Sequence, residues 1–187
     1  GVDAVIILGA EAGGHPGMQL IGTMVQGAQV PPAMTIPVVL AGGMGTGRQM
    51  VACLALGAGG MLLASRMIVS SEIWAHDDYK HRVAEMDAGD TRIIMTIFGD
   101  NSRVMANETA DRVLALEADG VDDFEAYRGL VAGEIQRQAY ETGDWNMGTP
   151  SVGQGSSFAD RIEPVEVIFD GIMADAVASR HRIEGTK

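Results

Sequence analysis

The sequence is poor in cysteine, in aromatic residues and in positive charge. Cys53 is the only cysteine among 187 residues, which excludes an internal disulfide framework and suits a reducing, cytoplasmic compartment. Lysine and arginine total 13 against 25 aspartates and glutamates, a net charge of −12. A phosphate backbone is repelled by that surplus, so nucleic acid is not the expected partner. No apolar run reaches the roughly 18–20 residues that span a bilayer, because Gly, Pro, Asp or Arg interrupts each one, so no membrane role is expected. The chain opens at Gly1-Val2-Asp3 directly into an apolar run, without the basic n-region of a signal peptide. That start leads us to expect a trimmed initiator Met or a missing upstream segment.

What is present is 47% apolar residues and 25 glycines, with only 20% charged residues, which excludes a disordered acidic chain. Three apolar runs end in small residues: Ala4–Leu8 before Gly9, Ile36–Ala41 before Gly42-Gly43, and Gly60–Ala64 before Ser65-Arg66. Runs that are apolar throughout predict strands buried on both faces, as in a parallel sheet. Gly47–Leu56 has helical spacing and a Gly57 stop, so the second and third runs frame a βαβ unit. Met18–Ala28 predicts a helix ended by Pro31-Pro32. Residues 1–70 therefore read as the last βα units of an α/β domain. Residues 71–187 read as a mostly helical tail that packs on those units and covers the site.

In that tail, Ser71–Ala88, Ala106–Ala118, Asp122–Thr142 and Pro164–Arg182 have apolar residues at helical intervals. Arg92–Phe98 is β-like, and Thr142–Gly155 is a loop rich in Gly, Ser, Asn and Pro.

Ligands of parallel α/β folds sit at the carboxyl ends of strands. Gly42-Gly43 offers backbone N–H groups to an anion, with the dipole of the following helix adding attraction. Ser65 adds a hydroxyl and its own N–H. The run Gly9-Ala10-Glu11-Ala12-Gly13-Gly14-His15-Pro16-Gly17 places a histidine on a glycine-framed loop at the same end. An imidazole there can take a proton from a substrate carbon. His76 and His81, beside Lys80 and Arg82, read as a solvated helix face, and His181 likewise carries no expected role. No metal site is expected. Cys53 reads as core packing within a helix.

Gly1–Gly17 resembles the strand and histidine loop of the nitronate monooxygenases (formerly 2-nitropropane dioxygenases). Ile36–Arg48 resembles their seventh-strand phosphate loop, and Leu56–Met67 resembles their eighth strand, with Ala64-Ser65-Arg66-Met67 where the family usually has Gly-Thr-Arg-Phe. Gly148–Gly155 is similar to a Gly-Gln segment of the same family. The FMN-dependent enoyl-ACP reductases share these motifs. The resemblance implies an α/β fold, the carboxyl-terminal part of a (β/α)8 TIM barrel (about strands six to eight), holding FMN non-covalently. It implies a phosphate on the N–H groups of Gly42, Gly43, Ala64 and Ser65, with Gly13 approaching the cofactor, Gly14 and Leu63 also cofactor-binding, and His15 as the catalytic residue. NAD(P)H is implied only for a reductase. Leu8 and Leu62 stand where the family often has polar residues, which removes polar contacts near the flavin. A barrel needs at least about 200 residues. The missing βα units are therefore expected from a second chain or from upstream sequence, with the alternative that the chain is one subunit of a split barrel, inactive without its partner chain.

Overall fold

The structure, a computed structural model, describes residues 1–185. A three-stranded parallel sheet is built from β1 (Val5–Leu8), β2 (Val38–Ala41) and β3 (Gly60–Leu62), in the order β1-β2-β3. Helix α1 (Thr23–Gln29) makes the first crossover and α2 (Gly47–Ala55) the second. This is the expected α/β arrangement, since parallel neighbours require crossovers. Register places Leu8, Ala41 and Leu62 side by side at the carboxyl ends of the strands.

Burial on both faces is found only for the central strand. Val38, Leu40 and Ala41 are buried, whereas β1 alternates, leaving Ile6 55% and Leu8 46% exposed. Val5 and Ile7 face the helices and pack with Val38, Leu40 and Cys53. The other sheet face is open, and the runs were continuous because both faces are apolar.

The remaining chain adds α3 (Asp77–Ala84), a hairpin of β4 (Thr91–Ile94) and β5 (Ser102–Met105), α4 (Glu108–Ala118), α5 (Glu125–Val131), α6 (Gly133–Thr142) and α7 (Val165–Gly185). Several boundaries differ from expectation for local reasons. Helix α1 starts at Thr23 rather than Met18, because Leu20 takes φ 48° and the Glu11 carboxylate accepts from the Thr23 N–H. The expected 71–88 helix is confined to Asp77–Ala84, where the His76 Nδ1 accepts from the Asp78 N–H. Lys80 and Tyr79 are buried, so this helix is not wholly a solvated face. Residues 92–98 bend at Met95 (φ 63°), and the second strand of the hairpin is too short to show periodicity. The expected 122–142 helix breaks at Ala132, whose ψ of 133° leaves the helical region.

Helix α7 returns to the sheet layer and packs on α2 through Ile168, Ile172 and Ala176. Gly47 permits this, because a Cβ there would strike the α7 backbone at Ile172 and Ala176. Burying each isoleucine contributes about 1.5–3 kcal/mol. At the base of α7, Arg66 Nη2 donates to Glu163 Oε1 at 2.6 Å, and both side chains are buried. Among the described residues, no helix is long and apolar enough to cross a membrane.

Candidate active site

The carboxyl ends of the three strands enclose a cavity of about 60 Å³. Its floor is the row Leu8–Ala41–Leu62, so the two leucines noted in the sequence face it together. Its rim is Gly13, Gly42, Gly43, Met44, Ala64 and Ser65, closed by Gly153 and Gly155 from the tail. Among the described residues, the N–H groups of Gly43, Met44, Ala64 and Ser65 have no protein acceptor. Four unpaired donors on one small cavity suit a group with several acceptor oxygens.

Other features of the rim differ from the sequence reading. Helix α2 does not aim its first turn at the cavity. Thr46 Oγ1 accepts from the Gln49 N–H, Gln49 Oε1 accepts from the Gly45 and Thr46 N–H groups, and Asp175 takes the Arg48 N–H. The capping box and Asp175 take those donors, so they are not offered to the cavity. Gln49 Nε2 also donates to the Gly43 carbonyl at 2.6 Å, pinning the glycine loop. Gly42 takes φ 108°, and a Cβ there would meet Thr23 Oγ1 and the Gly9 backbone. Its identity is thus demanded by packing as well as by any ligand. The Ser65 hydroxyl oxygen accepts from the Gly153 N–H, leaving its O–H hydrogen to donate elsewhere. Leu63 does not line the cavity; its side chain packs with the sheet core.

Glu11 is the charged group in the cavity wall, and sequence reasoning passed over it. Its carboxylate accepts from Thr23 N–H at 2.9 Å and Thr23 Oγ1 at 2.8 Å. An acid between glycines, twelve residues before a helix start, was the available signal. Gly13 lies against Gly153, and a Cβ on Gly13 would sit 2.6 Å from the Gly153 nitrogen. Gly14 and His15 stand outside the cavity wall, further along the same loop. Gly14 pairs with Arg103 of β5, and the largely exposed His15 has Nε2 3.6 Å from Asp100 Oδ1. His81 and His181 are exposed and distant in role, while burial pushes the Cys53 thiol up and leaves it a core group. No group of three or more His, Cys, Asp or Glu able to hold a metal occurs among the described residues.

The profile of the nitronate monooxygenase family matches residues 1–175. The chain belongs to the nitronate monooxygenase family. It is 38% identical over 117 residues to a probable nitronate monooxygenase of Staphylococcus saprophyticus, covering 58% of this chain and 33% of that one. It is 37% identical over 132 residues to an octahydro-indene-carboxyl-CoA dehydrogenase of Rhodococcus jostii, covering 71% of this chain and 35% of the relative. Among solved structures, FabK from Thermotoga maritima superposes with a TM-score of 0.91 at 31% identity, over all of this chain and 58% of FabK. Nitroalkane oxidase from Streptomyces ansochromogenes gives a TM-score of 0.73 at 28% identity, over 98% of this chain and 54% of that chain. This family member therefore spans about a third of the length of those curated relatives.

Proposed function

We propose that this chain is the flavin-phosphate and proton-transfer portion of an FMN-dependent oxidoreductase, most simply a nitronate monooxygenase. The observation that carries the reading is the set of four unpaired N–H groups, at Gly43, Met44, Ala64 and Ser65, around one phosphate-sized cavity. Those donors would hold the FMN phosphate without a side-chain cation, while the Glu11 carboxylate in the same wall is turned to the Thr23 N–H and hydroxyl. When bound, FMN supplies the redox chemistry by accepting electrons from the substrate, with dioxygen completing the oxidation. Leu8, Ala41 and Leu62 make the cavity floor apolar. His15, on the adjoining loop, takes the proton at its imidazole or delivers one to the substrate carbon. Residues 71–187 serve as the cover, through Gly153 and Gly155. The open sheet face at Ile6 and Leu8 supports reading β1–β3 as about the sixth to eighth strands of a (β/α)8 barrel. The other units come from a second polypeptide or from upstream sequence, in a cytoplasmic protein.

A second reading is an NAD(P)H-dependent enoyl-thioester reductase. The TM-score of 0.91 to FabK, an enoyl-ACP reductase, and the likeness to a carboxyl-CoA dehydrogenase favour it. Anaerobic spectra separate the two. Bleaching of bound flavin by a nitronate, with NAD(P)H inert, supports the monooxygenase, and the reverse supports the reductase. A chain that fails to quench FMN fluorescence, alone or with the missing barrel units, sinks both. Loss of turnover in His15→Ala is expected; unchanged turnover removes His15 from the mechanism.

A further inference from the structure

The β4–β5 hairpin lies outside the parallel sheet, yet it grips the histidine loop on both sides of His15. The Gly14 N–H donates to the Arg103 carbonyl at 2.9 Å, and the Arg103 N–H donates back to the Gly14 carbonyl at 2.6 Å. Arg103 Nε donates to the Ala10 carbonyl at 2.9 Å, while its Nη1 donates to Thr91 Oγ1 at 2.7 Å. Beyond His15, Asn101 Nδ2 donates to the Met18 carbonyl at 3.2 Å. Residues 10, 14 and 18 of the loop are thus tied to residues 101 and 103 of the hairpin. Asp100 sits at the start of that strip, where its N–H donates to the Met95 carbonyl at 3.2 Å and follows two left-handed residues, Met95 and Gly99. Its Oδ1 lies 3.6 Å from His15 Nε2.

The charged groups on the loop and on the hairpin packed around it are Glu11, Arg92, Asp100 and Arg103, with Glu117 accepting from the hairpin turn; Arg92 lies 3.6 Å from Asp111 and Glu117 is held by Thr96 and Ile97. Glu11 is engaged by Thr23, and Arg103 by Ala10 and Thr91, which leaves Asp100 facing the ring. We propose that Asp100 is a positioning residue for His15, its carboxylate keeping the imidazole proton on Nε2 and the Nδ1 lone pair free for the substrate. The neighbour of one ring nitrogen selects the tautomer, and so the nitrogen that exchanges protons. This inference rests on the reading of His15 as the proton-transfer residue. The pair is about two-thirds exposed on each side, so it adds little to fold stability. Its consequence is the orientation of one ring.

The test is nitrogen-15 NMR of the imidazole rings in the whole chain, with His15 assigned by His15→Gln. His76, whose Nδ1 accepts from the Asp78 N–H, is the internal control. We expect neutral His15 as a single Nε2–H tautomer, a mixture of tautomers in Asp100→Asn, and recovery of the single form in Asp100→Glu. The His76 pattern stays constant throughout. In the active assembly, Asp100→Asn lowers kcat about tenfold with KM held, because a misoriented group rather than a missing one limits the reaction. A His15 tautomer unchanged by Asp100→Asn overturns the proposal. Turnover that survives His15→Gln instead removes the role of His15, while the tautomer measurement still decides the pairing.

Discussion

Ser65 Oγ accepts a hydrogen bond from the Gly153 N–H at 2.7 Å across 88 residues of sequence. The bond fastens the tail loop over the strand-end cavity, and the Gln154 N–H donates to the Glu11 carbonyl beside it at 2.9 Å. Loop and strand ends are thereby one unit, and the rim of the cavity is complete only when the tail is in place.

Ser65→Ala leaves the buried Gly153 N–H without an acceptor. An orphaned buried donor costs about 1–3 kcal/mol. Urea unfolding is expected to show that loss, together with faster hydrogen exchange at Gly153. Unchanged exchange at that amide argues that the bond is not formed in solution.

Gly13→Ala and Gly153→Ala press a methyl group onto backbone rather than onto a movable side chain. The Gly13 Cβ would lie 2.8 Å from the Val152 carbonyl carbon, and the Gly153 Cβ 2.7 Å from the Glu11 carbonyl oxygen. Overpacking of this kind costs about 1–3 kcal/mol. Each variant is expected to lose stability. Gly60→Ala meets open space and is the control; equal behaviour of all three would contradict close packing of the two loops.

Arg66 and Glu163 form a buried pair in which Arg66 Nη1 has no partner, and Arg161 Nη2 approaches Glu163 Oε2 at 2.9 Å without hydrogen-bond alignment. Removing Glu163 strands the buried Arg66 charge in a poorly solvated site, at about 3–5 kcal/mol. Glu163→Leu is expected to reach that range and Arg66→Met to cost less, because Arg161 stays beside Glu163. The double replacement should cost less than the sum, as measured by denaturant cycles.

Two carboxylates dock α7. The Arg48 N–H, and then the Arg48 guanidinium, hold the Asp175 carboxyl below its ordinary value, and the Val165 N–H does the same for Glu72. Depressed folded-state values stabilise above the unfolded value and lose that contribution as pH falls through the folded one. Docking of α7 is therefore expected to weaken below about pH 4. Circular dichroism melts across that range should show a falling midpoint, less steep in Asp175→Ala. A midpoint that is flat with pH in the parent chain would remove these carboxylates from the account.

Much of the fold was legible because its signals are local. Continuous apolar runs ending in small residues marked the three strands, and the spacing of Met50, Val51 and Leu54 marked α2. The Thr46-x-x-Gln49 pattern even carries its own cap, although its consequence was not read: first-turn N–H groups that are already bonded are not offered to an anion. Helix boundaries were misjudged where a distant group intervened, as at Thr23, whose start is set by Glu11.

By itself, the sequence determined the family, the alternation of strand and helix in the first 70 residues, and the glycines and His15 at the strand ends. The alternation and the glycine turns follow from periodicity and backbone freedom, which are properties of neighbouring residues, whereas the family is carried by the resemblance of its motifs. Only the tertiary structure decided which donors stay unpaired, that Leu8 and Leu62 share one floor, that Leu63 turns into the core, and that Asp100 faces His15. It also paired Arg66 with Glu163 across 97 residues. Hydrogen-bond partners separated by such distances leave no period in the chain. Their meeting is set by how the tail folds back over the sheet.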